Sequence, residues 1–387
     1  MARSPLFGRR VHISGSFATD PMIASGEAIS DARGVLAQFV QQLVRRGANF
    51  VVPVDAEPCR PDGNPICFDW DIWEAMHSNL AARPLNVPGP MVIAVKHHKT
   101  EEQIPPDRVT LWDGMAHTDL VHMESAAQWS MAARRMDIQS RFGDILITLG
   151  GDEGVLHLAN RYHEAGKPVI PLDLAVTGKD RGSRKLYTQA QLDNEAARFF
   201  RVTNGGSAHG WVNRLQMPAR HSVEQRVAVL VDLLEALERP RAFAVRLLNP
   251  GLPDFAEVDS YFEAVVRPVV EDELGYELTV IDDQHRHEHA RIDEEIFVQL
   301  ARASLVVADL TGGRPNCFLE LGFAFGRSIP TLVSARKGSR LPFDVNTIST
   351  FLWSSEGTIR DRRRLLREHW DAVRNRPPLV QAKALVR

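Results

Sequence analysis

Two consecutive series of alternating strand and helix signals, parted by a proline, limit what this chain can fold into. In the first series, apolar runs with strand character lie over 11–14, 50–54, 91–95, 144–149 and 168–171, and helical spacing runs over 31–46, 124–139 and 154–164. Val35, Phe39, Leu43 and Val44 share one side of the first helical stretch, and Gly47 is placed to close it. A helix over 223–238 puts Val223, Val227, Leu230, Leu234 and Leu237 on one stripe, and Pro240 ends it. The second series begins at Ala242. It continues with a helix over 255–273, a strand over 277–281, a helix over 292–301, a strand over 305–308, a helix after Asn316 and strands over 330–334 and 351–353. An amphipathic helix over 360–374 follows and stops before Pro377 and Pro378.

Such alternation predicts mostly parallel sheets covered by helices on both faces. At 387 residues the chain exceeds the ~250–300 residues that one core supports, so two α/β domains of Rossmann-like or flavodoxin-like type are expected, 1–239 and 240–387. No internal repeat or low-complexity segment interrupts them.

Composition narrows the function classes. A formal net charge of -3 gives no nucleic-acid footprint. No run reaches the ~18 apolar residues that span a bilayer, and the basic amino terminus lacks the apolar core of a signal peptide, so a cytoplasmic protein without membrane partners is expected. Cys59, Cys67 and Cys317 have no paired metal-ligand spacing and read as reduced thiols. His285, His287 and His289 alternate in a polar stretch that reads as a solvated loop, and no metal is expected. Trp112, Trp129, Trp211 and Trp353 read as core or interface aromatics.

The stretch from Val307 to Gly326 is the most informative for chemistry. It reads as a strand ending at Asp309, a polar loop with Thr311 and Asn316, and a helix carrying Glu320. Ligands of open α/β sheets bind outside the carboxyl ends of strands, which aims both carboxylates at a ligand crevice. A carboxylate facing an anomeric carbon can stabilise or attack an oxocarbenium-like centre while polar neighbours orient the sugar hydroxyls. Asp282 or Asp283, at another strand end, suits a ribose hydroxyl. The plainer alternatives stay open: an acid in a helix's first turn is worth ~0.3–1 kcal/mol through the helix dipole alone, and an aspartate at a strand end can be a cap.

Two glycine-containing loops follow strands of the first series, one at Gly15 and Ser16, the other at Gly150, Gly151, Glu153 and Gly154. Glycine lets backbone amides approach a phosphate, and a helix start favours negative charge. Arg134 and Arg135, on the preceding helix, could pair with such a phosphate. A tight turn and a solvated helix face are the plainer readings.

The Ala308-Asp309-Leu310-Thr311 strand end and the Asn316, Glu320-Leu321-Gly322 helix resemble the superfamily joining nucleoside 2-deoxyribosyltransferases to TIR-like NAD-cleaving domains, over about 241–353. The resemblance implies that Glu320 is the catalytic carboxylate, with Asp309 and Asn316 positioning the sugar. The Met-Pro-Phe turn of relatives is absent after the first strand, where Arg246-Leu247-Leu248-Asn249-Pro250 stands. The two glycine loops, over about 9–172, resemble the SLOG superfamily of phosphoribohydrolases and nucleotide sensors. Val155 replaces its threonine, which implies a binding module without that chemistry.

Together these likenesses imply a bacterial immune effector. A nucleotide-derived signal at the first domain would switch on NAD hydrolysis by the second through homo-oligomeric assembly, with NAD as substrate and no cofactor. Cleavage of a nucleoside or nucleotide, and a non-catalytic sensor acting by assembly, are the alternatives.

Overall fold

The computed structural model describes residues 4–96, 100–126, 131–192, 196–200, 210, 212–213, 215, 220–281, 292–342 and 348–374. The chain divides into two compact units. One comprises Gly8–Pro84 and Gly89–Glu238, the other Arg239–Arg387 with Met1–Phe7 and Leu85–Pro88. Each is built on a parallel sheet, the α/β architecture that the alternation implied.

In the N-terminal unit the strands are β1 (Arg10–Ser16), β2 (Asn49–Pro53), β3 (Val92–Lys96), β4 (Val121–Ser125), β5 (Ile145–Gly150) and β6 (Val169–Leu172), in the order β4-β3-β2-β1-β5-β6. The chain starts at β1, builds outward to β4, then returns to the other side of β1. Strand order therefore reverses between β1 and β5, which opens a crevice at their carboxyl ends.

Helix α1 (Gly26–Arg45) starts earlier than its apolar spacing suggested, because the Ser25 hydroxyl caps it by accepting from the Ala28 amide. Gly47, at φ 74°, closes it as expected, with the Ala48 amide reaching back to the Leu43 carbonyl. α2 (Asp69–Ser78) and α4 (Val109–Ala116), with the short α3 (Thr100–Gln103) between them, were not anticipated. α2 and α4 bury Trp70, Trp73 and Trp112 against one another in edge contacts. The helix expected over 124–139 is instead the edge strand β4 followed by α5 (Met131–Phe142). β4 is half-exposed on one edge and carries only Val121 and Met123 as apolar residues, so its sequence offers little strand signal.

α6 (Glu153–Glu164), α7 (Gly182–Ala190), α8 (Ala196–Phe200) and α9 (Val223–Leu237) complete this unit. A capping box of Ser222 and Gln225 starts α9, and its buried Arg226 pairs with Asp31 of α1.

In the C-terminal unit the order is β11-β10-β9-β7-β8, from β7 (Arg241–Val245), β8 (Glu277–Thr279), β9 (Leu305–Asp309), β10 (Thr331–Arg336) and β11 (Thr350–Trp353). Here the order reverses between β7 and β9. The helix expected over 255–273 begins as α10 (Phe255–Tyr261) and continues in wider π-type turns, Phe262–Val266 and Val269–Glu273. Pro268 lies between them; it has no amide to donate, so regular α-helical bonding cannot run through it. α11 (Ile292–Arg302), α12 (Pro315–Gly326) and α13 (Ile359–Val373) complete the unit. On one face of the sheet Tyr261 stacks on Trp353 with ring centroids 4.3 Å apart, and on the other Phe243, Leu300, Val306 and Leu321 are buried together. Among the described residues no helix is long and apolar enough to cross a membrane.

Candidate functional site

The segments after β7 and β8 and the start of α12, which follows β9, line a cavity of about 1010 Å³ beside the reversal of strand order. Arg246 and Asn249 come from the segment after β7, Asp259 from α10, and Arg314, Asn316, Cys317 and Glu320 from α12 and the residue that precedes it. α12 starts with Pro315, whose missing amide costs nothing at the first helical position. Glu320 thus lies in the second turn, beyond the reach of the dipole effect that was the plainer explanation for an acid here.

Glu320 is half-buried and has no hydrogen-bond or ion-pair partner among the described residues. Desolvation by burial pushes its carboxyl up to about 7. Asn316 is exposed and lines the same cavity four residues earlier, one helical turn away. Cys317 is buried, and its thiol is pushed up to about 12, chiefly by that burial and next by the charge of Glu320, so it is held protonated at neutral pH.

Asp309, expected beside Glu320, is set apart from the cavity. Its side chain is fully buried and accepts from the Trp353 indole (2.7 Å), the Ser334 hydroxyl (2.8 Å) and the Thr311 amide (3.1 Å). Burial raises its pKa and these donors oppose the rise. It ties β9 to β10 and β11 and does not line the cavity, because its oxygens are committed to three donors. Thr311 is also withdrawn: it is 2% exposed, and its hydroxyl accepts from the Arg336 amide at 2.9 Å. Asp282, Asp283 and the histidines at 285, 287 and 289 lie outside the described residues.

Sequence reasoning missed Arg246, Asp259 and Arg314. Arg246 follows β7 directly, and its place at a strand's carboxyl end was the available signal. It pairs with Asp259 at 2.7 Å and lies over the Phe262 ring, with its Nε buried and unpartnered. Arg314 also buries an Nε without a partner, and it has no acidic partner among the described residues.

In the N-terminal unit the two glycine loops do meet. Ser16 pairs with Gly150 across β1 and β5, and the Gly151 amide donates to the Ser16 carbonyl at 2.7 Å. A Cβ on Gly15 would lie 1.8 Å from the Leu149 carbonyl oxygen, and one on Gly150 would lie 2.2 Å from that of Ser16. Gly182 packs on the Gly150 and Gly151 carbonyls, and the Thr177 hydroxyl donates to Gly151 at 3.1 Å. Gly150 and Gly151 are buried, and the Gly151 amide expected to face a phosphate is already committed to Ser16. Glu153 and Gly154 are exposed in the first turn of α6, where Asp152 pairs with Arg181 at 3.0 Å. Arg135 is engaged by Asp55 at 2.5 Å, whereas Arg134 is exposed and has no partner among the described residues.

A family model described as ATP nucleosidase Cap17-like, N-terminal, matches residues 6–234, more than half of the chain. The chain belongs to this Cap17-like family. The matched region spans β1 to β6 and most of α9, and it fits an SLOG-like N-terminal domain. Membership points to N-glycosidic cleavage as the general class of activity. No curated protein matches the chain.

Proposed function

We propose that this Cap17-like protein hydrolyses the N-glycosidic bond of a nucleotide in the C-terminal cavity, with Glu320 facing the ribosyl carbon. The observation that carries the reading is the unpartnered, half-buried Glu320 carboxylate in a cavity at the sheet's reversal point. A likeness to nucleoside 2-deoxyribosyltransferases and TIR-like domains over about 241–353 supports the same residue. Ionised Glu320 opposes the positive charge that develops at the sugar as the carbon–nitrogen bond breaks and its electron pair leaves with the base. Water then adds to the anomeric carbon and gives up a proton to solvent, while the exposed Asn316 is placed to orient sugar hydroxyls.

ATP is the first substrate to test, since the family is described by that activity. A second reading, NAD, has its own support. The other carboxylate that lines the cavity among the described residues, Asp259, is paired with Arg246, which leaves no separate described acid to protonate a neutral base. Cationic nicotinamide needs none. In the fuller reading the protein is an immune effector whose N-terminal unit receives a nucleotide-derived signal, with the exposed Arg134 as a cation still open to it, and signal binding promotes homo-oligomeric assembly.

The test incubates the full chain with ATP, NAD and deoxynucleosides, with and without cyclic nucleotides, and follows free base by chromatography. Release by the wild type and none by Glu320→Gln is the expected result. Equal release by both would remove Glu320 from the reaction.

A further inference from the structure

α12 and the residue before it carry opposite charges less than two turns apart. Arg314 caps its start and Glu320 lies six residues on, a rise of ~9 Å along the axis. Both line the cavity, and neither has a counter-charge among the described residues. Between them, the Asn316 and Cys317 amides precede the first backbone bond of the helix, from the Phe318 amide to the Arg314 carbonyl at 3.3 Å. Arg246 faces the same cavity with a side chain only 9% exposed and a buried, unpartnered Nε. A cavity that needed only to hold an uncharged nucleoside would gain nothing from two guanidiniums kept partly unsatisfied.

We propose that Arg314 and Arg246 are specificity-determining residues that bind the 5′-phosphate chain of the substrate, so that the helix sets the distance from phosphates to scissile bond. The proposal rests on the assignment of Glu320 above. Phosphate at the start of α12 meets open amides, the positive end of the helix dipole and the Arg314 guanidinium. The ribosyl carbon then falls beside Glu320, because the helix spacing matches the reach from an anomeric carbon past an α-phosphate toward the β- and γ-phosphates. Phosphate and carboxylate stay apart, which spares the site their mutual repulsion. Arg246 is held in place by Asp259 and the Phe262 ring on the cavity wall, where its guanidinium adds a second positive charge toward the phosphates.

The experiment compares base release from ATP, ADP, AMP and adenosine by the full chain and by Arg314→Ala and Arg314→Lys. Arg314 makes no side-chain cap bond and Pro315 still starts the helix, so the alanine variant is expected to fold. It should lose about 10- to 100-fold in kcat/KM on ATP, the size of one charge-assisted contact, with a much smaller loss on adenosine and partial recovery in the lysine variant. Equal losses on ATP and adenosine, or wild-type cleavage of adenosine as fast as of ATP, would overturn the proposal. Binding of inorganic triphosphate to Glu320→Gln, measured by calorimetry with and without Arg314→Ala, separates the two ideas. Binding that depends on Arg314, where the wild type releases base from none of the four substrates, keeps the phosphate site and discards the glycosidase reading. No loss of binding in the double variant discards the phosphate site.

Discussion

The two units present the same topological opportunity and use it differently. In each, strand order reverses beside the first strand, so a crevice opens at the carboxyl ends, between β1 and β5 in one unit and between β7 and β9 in the other. In the N-terminal crevice the Gly15 and Gly150 loops interlock through backbone, and the segment from Thr177 to Gly182 packs over them. In the C-terminal one the loops stand apart around about 1010 Å³, with Arg314 and Glu320 left without counter-charges among the described residues. Glycine at a strand end therefore has two uses, admitting a ligand or admitting another stretch of the same backbone. Only the neighbours decide which.

The comparison is broken most severely by adding one methyl group to the N-terminal crevice. Gly15→Ala places a Cβ inside the Leu149 carbonyl at a φ of 154°, and rigid backbone on both sides must shift. A loss of about 3 kcal/mol or more is expected, read as a large drop in denaturant midpoint. Wild-type stability with weakened nucleotide binding would restore the loop to a ligand role.

Next in size is Glu320→Gln, expected to cost on the order of 100-fold or more in base release while the fold is kept. Asp309→Ala should show the reverse pattern. It leaves the buried Trp353 indole and Ser334 hydroxyl without an acceptor, so about 2–4 kcal/mol of stability should go, with activity falling only as folded protein is lost. Activity lost at unchanged melting temperature would return Asp309 to the chemistry.

The dependence on pH sharpens the contrast further. Burial raises the Glu320 carboxyl to about 7, and in the proposed mechanism the ionised form acts, so base release should rise as pH increases through about 7. The same shift works against stability. The neutral acid favours the folded state below the ordinary carboxylate range, and this contribution fades as pH rises through about 7. Glu320→Gln should accordingly gain in melting temperature over the wild type between pH 5 and 8. A flat difference across that window would show that the folded protein does not perturb this group.

The smallest effect is expected at Gly322, exposed in α12 with nothing within 4 Å of an added Cβ. Gly322→Ala should stabilise by about 0.5–1 kcal/mol, the helix-propensity difference, in direct contrast to Gly15→Ala. Destabilisation on thermal melting would show that the helix face is not open.

Much of the fold was legible in the sequence because strand and helix periods are local properties. The alternation gave two α/β sheets, and the apolar stripes of α1 and α9 marked the faces that are buried. What escaped was weakly patterned: β4 is a short edge strand, and α2 combines acids with tryptophans whose burial depends on α4. At the candidate site, Glu320 was marked by its place in a helix after a strand end and Asn316 by the family resemblance, and both line the cavity.

Sequence by itself determined which carboxylates end strands or enter helices. Only the tertiary structure decided which of them are free. Asp309 and Glu320 look equivalent along the chain, but three donors from β10, β11 and the adjoining loop close around Asp309, while Glu320 lines a cavity and no described residue donates to it. Arg246 and Arg314, 68 positions apart in the sequence, meet at one cavity only because β9 lies beside β7. Hydrogen-bond partners and counter-charges come from distant segments, so the difference between a committed acid and a free one is a property of packing, which local sequence does not encode.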